Sequence, residues 1–245
     1  MRDALTRHRN RGTMDEHKFC FILCTNNDIL LSEAIHYISH LNVPAGYTTE
    51  LLTVTDAASM TAGYNEAMTA SDAKYKIYMH QDVFILNRNF LSDILAIFRS
   101  DASIGLIGMT GYESVSPDGV MWHVQSRLGT PYKRKTSYPP LSDYRYSLSE
   151  DGYRHAALVD GFMMITSTDY LWDTEDLTGW DFYDAWQSLT FLLHGCKVVV
   201  PTQRHPWCMH DDGGVLNLTN YNRYRQKFLR AYHAFLGKHY SEIMP

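Results

Sequence analysis

Three groups of residues in this chain have types and spacings suited to chemistry. His80-Gln81-Asp82 sets an imidazole and a carboxylate two positions apart, directly after the apolar run at 75–79. In an extended chain, positions i and i+2 point to the same side. The pair therefore offers nitrogen and hard oxygen ligands to a divalent cation whose other ligands are phosphate oxygens. His-x-Asp alone also describes an ordinary polar strand end. Asp184 is the second candidate, in Trp180-Asp181-Phe182-Tyr183-Asp184. A carboxylate held among aromatic rings has a physical reason to be a poised base. An acid in a first helical turn also simply favours the helix dipole, and Asp181 competes for both readings. In the third group, His205, Trp207, His210, Asp211 and Asp212 crowd into a loop ending in Gly213-Gly214. Such a segment can supply another metal ligand or close over a bound ligand, although His205 reads better as part of a polar surface turn. Lys133-Arg134-Lys135 offers cations for a diphosphate, but a short basic run is more often a solvated loop.

These groups need elements to position them. The apolar run 19–24 ends in Thr25-Asn26-Asn27-Asp28, which suits a buried strand opening into a polar loop. Ile29, Leu30, Ala34, Ile35, Tyr37, Ile38 and Leu41 follow at helical spacing, stopped by Pro44-Ala45-Gly46. A second strand at 50–54 closes at Thr55-Asp56, a short helix covers 62–68, and a third strand at 75–79 runs into His80. A helix at 90–98 leads to a fourth strand at 104–109. The alternation predicts an α/β fold with a mostly parallel sheet and helices on both faces. Ligands in such sheets bind beyond the carboxyl ends of the strands, where Thr25, Asn26 and His80 to Asp82 lie. Residues 111–154 lose periodicity and form an irregular insertion. A strand at 156–165 is broken by Asp160-Gly161, a helix spans 183–194 with Gly195 as its cap, and a last strand runs 197–200. The tail at 220–236 is amphipathic, with Tyr221, Tyr224, Phe228, Ala231, Tyr232 and Phe235 on one face. That face packs on the chain's own core or on a second copy in a homo-oligomer.

A chain of 245 residues with 45% hydrophobic content builds one substantial core. The division expected is a disordered basic leader over 1–18, a single domain over 19–218 and a C-terminal amphipathic helix within 219–245. The formal net charge of −5 gives no basic footprint for nucleic acid. No apolar run reaches the roughly 18 residues of a membrane span, and the leader lacks a signal-peptide core. Cys20, Cys24, Cys196 and Cys208 form no C-x-x-C pair, which reads as reduced thiols in a cytoplasmic protein.

The order of these features resembles the family-2-like glycosyltransferases of the GT-A fold, in particular their small bacterial glycosyltransferase-like group. The resemblance covers roughly residues 19–212. It rests on the polar loop Cys24-Thr25-Asn26-Asn27, on Asp56 after the second strand, and on an Asn-bearing helix with Asn65. His80-Gln81-Asp82 stands in the place of Asp-x-Asp, and the Gly-rich Asp160-Gly161-Phe162-Met163-Met164 precedes the acidic helix start at Asp184. What the resemblance implies is a sugar transferase that uses a nucleotide-diphosphate donor, a UDP-sugar, and a glycan or lipid-linked acceptor. Asp184 would be the catalytic base of an inverting, non-processive transfer. Asp82 and His210 would hold a divalent metal, Mn2+ or Mg2+. Thr25, Asn26, Asp56, Asn65 and His80 would face the nucleotide.

Two departures from that pattern stand out. His80 replaces the first acid of Asp-x-Asp, and the usual paired acids at the helix start become Tyr183-Asp184. No Gln-x-x-Arg-Trp is found, which argues against a processive synthase. Two other readings stay open: a nucleotidyltransferase, disfavoured because no glycine follows Cys24 until Gly46, and a non-catalytic nucleotide- or glycan-binding module derived from such an enzyme.

Overall fold

The apolar run at 19–24 lies deep inside the sheet, and its side chains alternate between two cores. Cys20, Ile22 and Cys24 face one cluster, while Phe19, Phe21 and Leu23 face the other. A strand buried on both faces needs such a continuous run, each large side chain contributing about 1.5–3 kcal/mol on burial. The computed structural model describes residues 13–133, 149, 151–212 and 218–244. Chain order gives β1 (Asp15–Thr25), α1 (Asp28–Ser39), β2 (Thr48–Thr55), α2 (Met60–Ala70), β3 (Ala73–Met79), β4 (Val83–Ile85), α3 (Phe90–Ser100) and β5 (Ile104–Gly108). Short strands follow: β6 (Thr110–Tyr112), β7 (Arg127–Gly129), β8 (Tyr132–Lys133), β9 (Tyr153–His155), β10 (Leu158–Val159) and β11 (Met163–Thr166). The chain then forms α4 (Tyr183–Leu193), β12 (Lys197–Pro201), β13 (Cys208–His210), α5 (Tyr221–Ala231) and α6 (Tyr240–Ile243).

The main sheet has seven strands in the order β2-β1-β3-β11-β5-β12-β9. Strands β2, β1, β3, β5 and β12 run one way, and β11 and β9 run against them. The carboxyl ends of β1, β2 and β3 therefore share one edge, and Met163 at the start of β11 pairs with Met79 at that edge. Helices α2 and α4 cover one face, α1 and α3 the other. Helix α1 starts where the Asn27 side chain accepts from the Ile29 and Leu30 amides, and Ser59 caps α2 through the Ala62 amide. Gly63 lets α2 lie close on the sheet, since a Cβ there would stand 2.5 Å from Cys24 Sγ. No helix among the described residues is long and apolar enough to cross a membrane.

Several boundaries differ from the sequence reading. Strand β1 starts at Asp15, inside the span 1–18 expected as a leader, and residues 1–12 lie outside the described residues. Lys18, read as leader, pairs in the ladder with Thr48, and its ammonium meets Asp72 and Glu50. The polar stretch 15–18 forms strand because it extends a pairing nucleated by the apolar run. The insertion at 111–154 contains β6 to β8 and the start of β9. Strands of two or three residues are too short to show a period of two, so no pattern betrays them. Its remaining part, with Arg134, Lys135, Pro139 and Pro140, lies outside the described residues, as do Gly213 and Gly214. The tail is not one helix: α5 ends at Ala231, a 3-10 turn covers His233–Phe235, and α6 follows. Its aromatic face packs on the chain's own core, Phe228 against Phe182 and Tyr232 against Trp186.

Candidate functional site

Past the end of β3 the chain turns sharply into β4. The Val83 amide donates to the His80 carbonyl, and the His80 amide donates to the Phe162 carbonyl just before β11. Strand β13 then pairs antiparallel with β4, matching His210 with Val83, and the Asp211 amide donates to the Asp82 carbonyl. This pairing carries His210 over Asp82 from more than a hundred residues away. The segment 205–212 was expected to be a loop, but Cys208–His210 is a strand. Its three residues sit between a proline, a tryptophan and two acids, which hides them from any pattern.

His80, Asp82 and His210 offer three ligand atoms that all lie within 4.8 Å of one another. Asp82 Oδ1 is 3.9 Å from His80 Nδ1 and 3.5 Å from His210 Nε2. Ligands bound at ~2.1 Å to one ion stand between ~3 and ~4.2 Å apart, so these spacings suit a shared cation. Asp82 Oδ1 is also buried with no hydrogen-bond partner. An orphaned buried acceptor costs about 1–3 kcal/mol, and a cation between it and the two imidazoles removes that cost. The residues present fit a divalent metal. Burial pushes the Asp82 carboxyl up, but the His210 and His80 imidazoles outweigh it and hold the group below its ordinary value. Burial, with His210 beside it, lowers His80 to about 4 despite the opposing pull of Asp82 and Asp160. His80 is thus neutral, as a ligand must be.

The second half of the site is the start of α4. Phe182, at the cap position, takes a left-handed backbone with φ 64°, which turns Tyr183 and Asp184 towards the turn at Asp160-Gly161. The Gly161 amide donates to Asp184 Oδ2 at 3.0 Å, and the Ala185 amide to Oδ1 at 2.8 Å. Burial and the neighbouring Asp160 charge raise the Asp184 carboxyl to about 7, against the pull of those two amides. A carboxyl that titrates near neutrality can accept a proton in a neutral solution. The two halves meet: the Tyr183 hydroxyl lies 2.5 Å from His80 Nε2, and the buried Tyr64 hydroxyl feels both the Asp82 and the Asp184 charge. Phe162 stacks on His210 with centroids 5.1 Å apart, so the short segment 160–162 braces both halves. Asp181, the competitor of Asp184, lies two residues before α4 and is raised by burial alone.

The other sequence candidates divide. Thr25 and Asn26 lie at the same sheet edge, but their polar groups are engaged by Gln81, which the sequence reading passed over. Gln81 Oε1 accepts from the Thr25 hydroxyl at 2.8 Å and the Asn26 and Asn27 amides at 3.0 and 2.9 Å, while its Nε2 donates to Asn26 Oδ1 at 2.7 Å. Gln81 thus ties the loop after β1 to the metal-capable turn. Gln81→Ala removes these four hydrogen bonds, of which the buried Thr25 hydroxyl is the donor water reaches least, and is expected to cost about 1 kcal/mol, read as a lower midpoint in urea unfolding. Asp56 is exposed at the end of β2 in a left-handed conformation with φ 56°. Asn65, expected to face the nucleotide, is committed elsewhere. Its amide donates to the Trp172 carbonyl and accepts from the Trp172 amide, pinning the segment that leads to α4. Both ends of its side chain are consumed by the backbone of one residue.

A family model described as "Glycosyltransferase like family" matches residues 20–232. No curated protein matches the chain. Among solved structures, S. aureus TarS 1-349 superposes with a TM-score of 0.57 at 9% identity, covering 92% of this chain and 68% of that one. The same fragment in complex with UDP gives the same values. The mannosyltransferase PcManGT from Pyrobaculum calidifontis, in complex with GDP-Man and Mn2+, gives a TM-score of 0.55 at 11% identity, over 99% of this chain and 72% of that one. At these identities the likeness speaks for the fold, which is GT-A.

Proposed function

The chain belongs to the glycosyltransferase-like family, and from that premise we propose that it moves a sugar from a nucleotide-diphosphate donor, a UDP-sugar, to an acceptor hydroxyl. The observation that carries this reading is the meeting of a metal-capable triad with a carboxyl titrating near 7 at one sheet edge. The two halves correspond to the two demands of the reaction, a departing diphosphate and a hydroxyl that must lose its proton.

Asp184 accepts the proton of the acceptor hydroxyl as that oxygen attacks the anomeric carbon, with inversion. The Gly161 and Ala185 amides fix the carboxylate's direction. A divalent cation held by His80, Asp82 and His210 would offset charge building on the leaving nucleoside diphosphate. Two imidazoles and one carboxylate suit Mn2+ better than Mg2+, which prefers oxygen ligands. Manganese and GDP-Man occupy PcManGT, and UDP occupies TarS; these neighbours support a nucleotide-sugar donor without naming the one used here. Asp56 and the side-chain Nδ2 of Asn26 lie at the edge where the base and ribose would rest. The free thiols of Cys20, Cys24 and Cys208 are buried, which accords with a reducing, cytoplasmic setting.

A glycan, free or lipid-linked, suits the acceptor side. Trp122 is 46% exposed and packs on Tyr221, which packs on Phe182 two residues before Asp184. Exposed aromatic faces beside the base offer a platform for the apolar face of a sugar ring. Trp122→Ala is expected to raise the acceptor KM about tenfold with kcat changed little, measured by initial rates at saturating donor.

A panel of UDP- and GDP-sugars with Mn2+, followed by nucleoside diphosphate release, tests the proposal. Turnover of one donor, lost in Asp184→Asn, supports it. Nucleotide binding without turnover of any donor, acceptors included, would show a binding module instead.

A further inference from the structure

The two departures from the family's acidic pattern, His80 and Tyr183, are partners in a single hydrogen bond. Nε2 of His80 lies 2.5 Å from the Tyr183 hydroxyl, while Nδ1 of the same ring faces Asp82 Oδ1 at 3.9 Å. We propose that Tyr183 is a positioning residue of the triad: its hydroxyl holds the His80 ring so that Nδ1 carries the lone pair presented to the cation. The inference rests on the reading that the triad takes a divalent metal.

The His80 backbone is already fixed, its amide bonded to the Phe162 carbonyl and its carbonyl to the Val83 amide. What remains free is the ring, which can flip and can carry its proton on either nitrogen. With a cation on Nδ1 the ring proton must sit on Nε2, and the Tyr183 oxygen is placed to accept it. A ligand histidine commonly has its second nitrogen oriented in this way, and loss of the orienting partner typically weakens metal binding by 10–100-fold. The position of Tyr183 is itself over-determined. It is buried, and it packs against a joined pair of rings, Tyr64 edge-on with centroids 6.0 Å apart and Trp172 at 6.1 Å. Space for its hydroxyl is kept by Gly161, where a Cβ would stand 2.3 Å from that oxygen. An imidazole at 80 and a phenol at 183 thus work as one unit, and the glycine at 161 belongs to it.

The test is Mn2+ binding by the full chain, read by electron paramagnetic resonance of the free ion. Tyr183→Phe is expected to weaken Mn2+ binding by about 10–100-fold. In a His80→Asp background, where no ring needs orienting, the same Phe substitution is expected to change affinity by less than about threefold. Native affinity in Tyr183→Phe overturns the proposal, as does an equal loss in both backgrounds, which would reflect packing alone. Nitrogen shifts of His80 in the unsubstituted protein give a readout that no variant can spoil: the Nε2–H tautomer is expected, and Nδ1–H overturns the proposal. An unsubstituted protein that binds no Mn2+ would instead sink the metal reading itself, along with everything built on it.

Discussion

Asp184→Asn is expected to lower kcat by about 10²–10⁴-fold, the usual share of a positioned base, with nucleotide binding unchanged. The substitution keeps the side chain's shape and removes only its ability to take a proton. The pH dependence gives a sharper signature. Burial and Asp160 hold the carboxyl at about 7, so the rate of the native enzyme should rise with pH through that value as the base ionises. His80, held at about 4 by burial and His210, is neutral across this window. Stability should move the opposite way. The unfolded group ionises near its ordinary value of 3.8 and the folded one near 7, so between those values the native state holds a proton that the unfolded chain has released. Native stability therefore falls as pH rises from about 4 to 7, by on the order of 3 kcal/mol. In Asp184→Asn that slope should flatten. Urea unfolding at pH 5, 6, 7 and 8 measures it, and identical slopes in the two proteins would contradict the assignment of this titration to Asp184.

Asp82→Ala carries the second large effect. It removes the one carboxylate of the triad and leaves two imidazoles, so Mn2+ affinity should fall by more than about 100-fold, beyond what losing a mere orienting partner costs. Nucleotide affinity should then lose its dependence on Mn2+. Thermal unfolding with and without Mn2+ and UDP separates these outcomes. The native protein should gain a metal-dependent rise in Tm that Asp82→Ala lacks. An equal rise in both would place the cation elsewhere.

Much of this architecture is legible from local pattern. The run at 19–24, the helical spacing from Ile29 to Leu41 and the strand entering His80 each carry their own period, and their alternation implies the parallel sheet that the structure has. The tip of β3 and the start of α4 were readable as candidates because acids and imidazoles at element ends are unusual neighbours for apolar runs. What escaped the reading depends on partners distant in sequence. Gln81 looked like a spacer between two ligands, yet its carboxamide ties down the loop after β1. Asn65 looked free for a ligand until Trp172, 107 positions away, took both ends of its amide. Tyr183 looked like a lost acid, and only the fold brings its hydroxyl to His80. Strand β13 is too short to show a period and exists because β4 offers it an edge.

The proposed function requires one cleft in which His80, Asp82 and His210 would hold a cation beside the Asp184 carboxylate. Anomalous diffraction from crystals grown with Mn2+ and UDP tests this most directly. The account predicts a single strong manganese peak among His80 Nδ1, Asp82 and His210 Nε2, with the diphosphate on the side open towards Asp184. A manganese peak bridging the bound diphosphate to other side chains, with the triad empty, would contradict it.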